Sequence, residues 1–152
     1  LTAIGSLCLA DTNILLRLVK DDHSEYPMVR EAVERLKRRG TDIAYTHQNM
    51  AEFWNASTRP LSRNGFGLSI EETEKNAREI ERSFIFLPEG EAAYRHWRTL
   101  VVQNRVSGTQ VHDARLAAAM QAHGLTHILT FNKADFARFH NVTALHPSDV
   151  TA

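Results

Sequence analysis

Short apolar runs alternate along this chain with longer segments of helical periodicity. The runs predict strands, and the segments between them repeat apolar residues every three or four positions, as amphipathic helices do. Strands that alternate with helices form a parallel sheet, so the pattern predicts an α/β fold. The predicted strands are Ser6 to Ala10, Asp42 to Thr46, Phe84 to Leu87, His127 to Thr130 and Val142 to Leu145.

Capping and turn residues bound the predicted helices. The first helix is expected to follow Asp11 directly, and a second ends at Gly40, because glycine favours helix C-termini. Ser69 to Glu72 has the spacing of a capping box, which predicts a helix to about Arg82. Further helices are predicted over Gln48 to Ser57, Glu91 to Asn104 and Val111 to His123.

Two features allow two interpretations each. The turn-rich segment from Arg59 to Leu68 carries two arginines and Phe66, and is either a binding loop or a plain surface connection. Trp54 and Trp97 could stack on nucleic-acid bases. Both lie in apolar stripes, which favours packing in the core or at a dimer contact.

Composition limits the class of protein. A chain of 152 residues with 43% hydrophobic content is expected to form one domain over residues 1–152. Its 18 basic and 18 acidic side chains cancel, so only local charge could attract nucleic acid. The single Cys8 cannot form an internal disulfide, which favours a reducing cytoplasm. No run approaches the roughly 18 apolar residues of a membrane span, so no membrane partner is expected.

Four acids carry the candidate chemistry. Asp11 and Asp135 follow predicted strands, whereas Glu52 and Asp113 lie near the starts of predicted helices. Ligands bind beyond the carboxyl ends of parallel strands, where these positions can converge. Carboxylates gathered without Lys or Arg partners usually hold a hard divalent cation, so Mg²⁺ or Mn²⁺ is expected.

Such a site favours hydrolysis of phosphodiester bonds. A divalent cation activates water and neutralises the charge that grows on the phosphate. The chain has no glycine-rich phosphate loop, so binding of a nucleoside triphosphate by a P-loop is not supported.

The motifs around these acids resemble those of PIN domains of the VapC toxin type. They are Asp11-Thr12-Asn13 with Ile14-Leu15-Leu16-Arg17, Ala51-Glu52-Phe53, His112-Asp113-Ala114, and Leu129-Thr130-Phe131-Asn132 leading to Asp135-Phe136. The resemblance implies a three-layer α/β/α sandwich with a five-stranded parallel sheet. It also implies a magnesium-dependent endoribonuclease that acts on RNA, forms a homodimer and is inhibited by a small antitoxin protein.

The resemblance also assigns residues. Asp11, Glu52 and Asp113 match the metal-holding, catalytic acids of the family. Many relatives place an Asp where this chain has Asn132, so Asp135 is expected to supply the fourth charge. Asn132 is also expected to support the site. The other supporting hydrogen-bonding residues, which could equally be ordinary turn and cap residues, are Thr12, Asn13 and Thr130. The candidate contacts to RNA phosphates are Arg17, Arg59, Arg63 and Arg115.

Two other functions compete with the ribonuclease. One is a PIN-like module that binds RNA or protein with weak or no catalysis, with Asn132 marking a weakened site. The other is a phosphatase or phospho-acceptor domain with Asp11 as its nucleophile. The second is disfavoured because the Asp-Thr-Asn motif lacks the further Asp that such enzymes carry two positions on.

Overall fold

A computed structural model describes residues 3–152, and its five strands form one parallel sheet. The strands are β1 (Leu7–Ala10), β2 (Asp42–Thr46), β3 (Ile85–Leu87), β4 (His127–Leu129) and β5 (Thr143–Leu145). Their order across the sheet is β3-β2-β1-β4-β5. All five predicted strands are confirmed, although four of the predicted runs extend one residue beyond the strand, at Ser6, Phe84, Thr130 and Val142.

Seven α-helices accompany the strands in the described part of the chain. They are α1 (Thr12–Leu18), α2 (Tyr26–Arg38), α3 (His47–Thr58), α4 (Ile70–Ser83), α5 (Glu91–Gln103), α6 (Val111–His123) and α7 (Pro147–Thr151). The first six were predicted, and the short α7 was not. Short 3₁₀ turns lie at Leu61–Arg63, Gly108–Gln110 and Lys133–Phe136. No helix within residues 3–152 has the length and apolar character needed to cross a membrane.

Local capping chemistry explains where several helices begin and end. Ser69 accepts a hydrogen bond from the backbone N–H of Glu72 and forms the predicted capping box of α4. Thr46 and Asn49 form a second capping box at α3, which the sequence pattern did not reveal. Gly124 ends α6 with φ 74°, a left-handed conformation that glycine adopts without strain.

Strand β1 shows why the fold has three layers. Successive side chains of a strand point to opposite faces, and both faces of β1 are buried. Cys8 and Ala10 pack with apolar residues of α1, α2, α4 and α7 on one face. Leu9 packs with Leu100 of α5 and with α6 on the other face. The predicted three-layer α/β/α sandwich is therefore confirmed.

The turn-rich segment between α3 and α4 folds back on α3. The backbone N–H groups of Phe66 and Leu68 donate to the carbonyls of Ala56 and Ser57. Gly65 is buried so close to Arg59 that an added Cβ would clash with the Arg59 carbonyl. The segment is thus an ordered connection held by its own backbone hydrogen bonds.

Candidate active site

Asp11 is the anchor of the candidate site. It directly follows β1, caps the N-terminus of α1, and accepts a 2.8 Å hydrogen bond from the N–H of Thr12. Its Oδ2 also accepts a 2.7 Å hydrogen bond from the hydroxyl of Thr130, the residue after β4. Burial raises the pKa of Asp11, these hydrogen bonds oppose the rise, and the charges of Glu52 and Asp135 reinforce it.

Glu52 reaches the same end of the sheet from α3. Its Oε1 accepts a 2.8 Å hydrogen bond from the hydroxyl of buried Thr12. The Nε2 of Gln48, one helical turn earlier, lies 3.4 Å from its Oε2. Both carboxylate oxygens of Glu52 are therefore oriented by neighbouring side chains.

Asp113 lies in the first turn of α6 and is partly buried. Burial is the largest cause that raises the pKa of Asp113, to about 6, and nearby negative charge adds to it. The contributing acids, in decreasing order, are Asp135, Asp11 and Glu52, while His112 acts in the opposite sense. Their mutual repulsion indicates that the structure brings the four predicted acids together at one site.

Asp135 and Asn132 belong to the connection after β4. Asp135 is partly buried in the 3₁₀ turn Lys133–Phe136, and its charge acts on both Asp11 and Asp113. The side chain of Asn132 is exposed, and only its backbone N–H, which donates to the Thr130 hydroxyl, joins the network. Asp135 therefore fits the fourth acidic position better than Asn132 does.

The four acids lack basic partners. In the described part of the chain, no Lys, Arg or His nitrogen lies within 4.0 Å of a carboxylate oxygen of any of them. Within residues 3–152, no group of three or more His, Cys, Asp or Glu side chains is arranged so that it could hold a metal ion as it stands. The acids share one electrostatic environment but would have to move closer to share one cation.

Of the four predicted supporting residues, Thr12, Asn13 and Thr130 make side-chain hydrogen bonds in this network, whereas Asn132 contributes only its backbone N–H. Thr12 donates to Glu52, and Thr130 donates to Asp11. Asn13 lies 3.4 Å from Asp11 through its Nδ2, and its Oδ1 accepts a 3.4 Å hydrogen bond from the N–H of Phe131. The side chains of Asn13 and Thr130 thus connect the ends of β1 and β4, and that of Thr12 connects α1 to α3.

Sequence reasoning missed three polar residues that complete this network. Gln48 donates a 2.9 Å hydrogen bond to the carbonyl of His112 and so links α3 to the start of α6. Buried Asn49 donates to the hydroxyl of Thr12 at 3.2 Å. Glu89 accepts a 3.0 Å hydrogen bond from the N–H of Gln48. The spacing of Gln48 four positions before Glu52, on one helical face, was a signal available in the sequence.

The four predicted arginines differ in their surroundings. Arg115 follows Asp113 on α6, and its Nε donates a 2.7 Å hydrogen bond to Glu89. Arg17 pairs with Glu25 at 3.4 Å. Arg59 donates to the carbonyl of Asn64 within the turn-rich segment, and Arg63 there is exposed. None of them forms an ion pair with the four acids.

Solved structures with a similar fold include components of toxin–antitoxin pairs. One is VapBC2 of Rickettsia felis bound to a fragment of its promoter DNA, with TM-score 0.69 and 16% identity over 92% of this chain and 98% of that one. VapBC-1 of nontypeable Haemophilus influenzae gives a TM-score of 0.65 and 19% identity, with 93% and 98% covered. VapC20 of Mycobacterium tuberculosis, a toxin that cleaves the sarcin–ricin loop, gives 0.61 and 16%, with 90% and 98% covered.

At these identities the likeness establishes the fold alone. A search of curated proteins finds no match to this chain. The family model of the PIN domain matches residues 8–142, a span that contains all four acids and every motif on which the resemblance was based. The predicted family is confirmed: the chain belongs to the PIN domain family.

Proposed function

We propose that this protein is a divalent-metal-dependent endoribonuclease that hydrolyses phosphodiester bonds of RNA. The observation that carries the proposal is the convergence of Asp11, Glu52, Asp113 and Asp135 at one end of the sheet without a basic partner. A fold that gathers acids in this way tolerates their repulsion, which is reasonable when a cation compensates it. The family membership supports the same chemistry.

The donor set fits a hard divalent cation. Its atoms are carboxylate oxygens, which suit Mg²⁺ or Mn²⁺ and do not suit softer metals. When bound, such a cation supplies Lewis-acid chemistry, by which water is activated and negative charge on the phosphodiester is neutralised. Burial, and after it the repulsion of the neighbouring acids, raises the pKa of Asp113 to about 6, and cation binding would remove the repulsion.

The four acids divide into two pairs, one with side chains held by hydrogen bonds and one with side chains free to adjust. Asp11 and Glu52 are held by Thr130, Thr12 and Gln48, so their oxygens are oriented before any ligand arrives. Within residues 3–152, no hydrogen bond holds the side chain of Asp113 or Asp135. We infer that the second pair moves toward the first when a cation binds, which accounts for the open arrangement of the four acids.

We further propose that the protein acts as the toxin of a toxin–antitoxin pair in the cytoplasm, where its RNA substrate is found. The described VapBC structures contain a toxin with its antitoxin, and VapC20 is described as an RNA-loop-cleaving toxin. By analogy, the partners of this chain are a small cognate antitoxin protein and a second copy of itself in a homodimer.

A cleavage assay tests the ribonuclease proposal. Purified protein is expected to cut single-stranded or looped RNA with Mg²⁺ or Mn²⁺, and excess EDTA is expected to abolish cleavage. Asp113→Asn protein, purified in parallel, is the control for contaminating nucleases. Full wild-type activity in excess EDTA across several RNA substrates would exclude the mechanism.

The alternative of a binding module without catalysis rests on Asn132. Its exposed amide makes no side-chain hydrogen bond within the described residues, so it adds no ligand to the acids. In that case the protein would bind RNA or protein but would not bind Mn²⁺ at the four acids. Measurement of Mn²⁺ binding by wild type and Asp113→Asn therefore separates the two functions.

A further inference from the structure

A cleft with aromatic walls opens beside the four acids, between the helices α5 and α6. Its volume is about 410 Å³, and its lining includes Ala93, Tyr94, Trp97, Val111, His112 and Arg115. Pockets for small ligands start at roughly 300 Å³. The cleft is thus large enough for one planar ring system.

The aromatic walls of the cleft are ordered rather than incidental. Trp97 donates a 2.9 Å hydrogen bond from Nε1 to the carbonyl of Val111, which fixes its indole across the start of α6. Tyr94 lies one turn earlier, with its ring centroid 6.3 Å from that of Trp97 and the ring planes inclined by 34°. Tyr94 is 59% exposed, so its ring is accessible from solvent where it lines the cleft. Trp54 and Trp97 both pack against an apolar core cluster, as their apolar stripes predicted, and Trp97 also lines the cleft.

The cleft adjoins the candidate active site through the first turn of α6, which carries Asp113. Val111 and His112 line it and directly precede Asp113 in α6. Glu89, which also lines the cleft, contacts both Arg115 and the N–H of Gln48, whose side chain reaches Glu52. A nucleotide adjacent to the phosphodiester bond that is cleaved at the four acids would therefore reach the cleft.

We propose that this cleft binds one unpaired base of the RNA substrate, with Tyr94 and Trp97 as the stacking surface. The inference rests on the proposed ribonuclease function and specifies its substrate contact. Bases that are splayed out of single strands and loops are commonly recognised by stacking on aromatic rings. Arg115 stands at the same cleft with 47% of its side chain exposed, where it can contact the phosphate of that nucleotide.

Electrostatics favours a nucleotide over a protein segment as the occupant. Glu89 accepts a hydrogen bond from the Nε of Arg115, which orients the guanidinium. A guanidinium held beside two rings matches a phosphate attached to a planar base.

Fluorescence provides a test that does not depend on cleavage. Trp54→Phe leaves Trp97 as the single tryptophan, because the chain contains two. Titration of this protein with a single-stranded RNA oligonucleotide in EDTA is expected to quench the Trp97 emission. The same oligonucleotide added to Trp54→Phe with Tyr94→Ala is expected to require about tenfold more RNA for half-quenching.

Kinetics provides the second test. Tyr94→Ala is expected to raise the KM for RNA cleavage about tenfold, and Tyr94→Phe, which keeps the ring, is expected to restore it. Val102→Ala, which removes an exposed apolar side chain from the same helix outside the cleft, is the matched control. An abasic nucleotide beside the cleavage point is expected to raise the KM of wild type but not of Tyr94→Ala, because coupled sites are not additive.

The outcomes separate this inference from the proposed function. Absence of all RNA cleavage would refute the ribonuclease proposal. Normal cleavage with an unchanged KM for Tyr94→Ala, or unquenched Trp97, would refute the base site while the ribonuclease proposal stands. Conversion of a wild-type dimer to a monomer by Tyr94→Ala in sedimentation would overturn the base site in favour of an interface between copies of the chain.

Discussion

At the scale of single residues, the four acids are not equivalent. Asp11 and Glu52 accept hydrogen bonds from threonine hydroxyls. The pKa of Asp113, by contrast, is raised by burial and by the negative charges of its neighbours. Their positions were predicted from the sequence, because strand ends and helix starts meet at one edge of a parallel sheet. Gln48 was missed although its spacing from Glu52 was a signal, whereas Glu89 could not be predicted, since its hydrogen bonds to other elements depend on side-chain directions that spacing along the chain does not contain.

Substitution of the acids tests their catalytic roles. Asp11→Asn, Glu52→Gln and Asp113→Asn are each expected to slow RNA cleavage by on the order of 100-fold or more, because each removes charge from the metal site. Asp135→Asn is expected to have a smaller effect. Single-turnover rates at saturating Mn²⁺ provide the measurement, with exposed Asp22→Asn as the control. A wild-type rate for Asp113→Asn would show that the site is assigned wrongly.

The raised pKa of Asp113 predicts a pH-dependent stability. Its value of about 6 in the folded protein exceeds the ordinary 3.8, so the folded state holds this proton more tightly than the unfolded state. Below pH 3.8 the Asp113 carboxyl does not lower the free energy of unfolding, and it lowers it increasingly as pH rises from 3.8 through about 6. In EDTA at neutral pH, the free energy of unfolding of Asp113→Asn should therefore exceed that of wild type by about 0.5–2 kcal/mol, a difference that is reduced because Asp113 is partly exposed to solvent.

Urea unfolding of both proteins across this pH range, in EDTA, measures the difference. The gap should close toward pH 4, and millimolar Mg²⁺ should narrow or reverse it at neutral pH, because wild type binds the ion more tightly. A variant that is less stable than wild type at neutral pH in EDTA would instead indicate that Asp113 stabilises the fold.

At the scale of elements, periodicity and capping predicted most of the structure. The apolar run of β1 marked this strand because both of its faces are buried, and the Ser69 capping box marked the start of α4. The helix α7 was missed because five residues are too few to show a helical period. The sequence did not decide between the two interpretations of the segment from Arg59 to Leu68, because turn residues do not reveal which carbonyls accept hydrogen bonds from its N–H groups.

The close approach of Gly65 to Arg59 gives a prediction for this segment. Gly65→Ala is expected to destabilise the protein by about 1–3 kcal/mol, because the new Cβ would force the Arg59 backbone to move. Gly5→Ala is the matched control, since no atom lies within 4 Å of a Cβ added there. Equal unfolding midpoints for the two variants would indicate that the segment is loosely held.

At the scale of the whole molecule, acidic and basic side chains are equal in number but unevenly distributed. The chain has equal numbers of acidic and basic side chains, yet four of the acids are gathered at one site. A cation there would leave the remaining surface with a basic excess that suits an RNA partner. The predicted PIN fold places Arg115 next to these acids and Arg63 on an exposed turn.

Salt dependence tests these two arginines. Arg115→Ala and Arg63→Ala are each expected to weaken RNA binding and to reduce the slope of log Kd against log salt by roughly 0.7, the value for one phosphate contact on a single strand. Arg78→Ala is the control, because Arg78 is an exposed residue of α4 that pairs with Glu74. Unchanged slopes for both variants would show that neither arginine contacts the RNA backbone.

The most direct test of the central claim is an anomalous difference map from crystals of the protein soaked in MnCl₂. The four acids, if they form one metal site, should surround an anomalous peak, with the carboxylates of Asp113 and Asp135 drawn toward those of Asp11 and Glu52. The peak should be lost in Asp113→Asn crystals soaked in the same way. A map with Mn²⁺ bound only elsewhere, and the four carboxylates still apart, would contradict the claim.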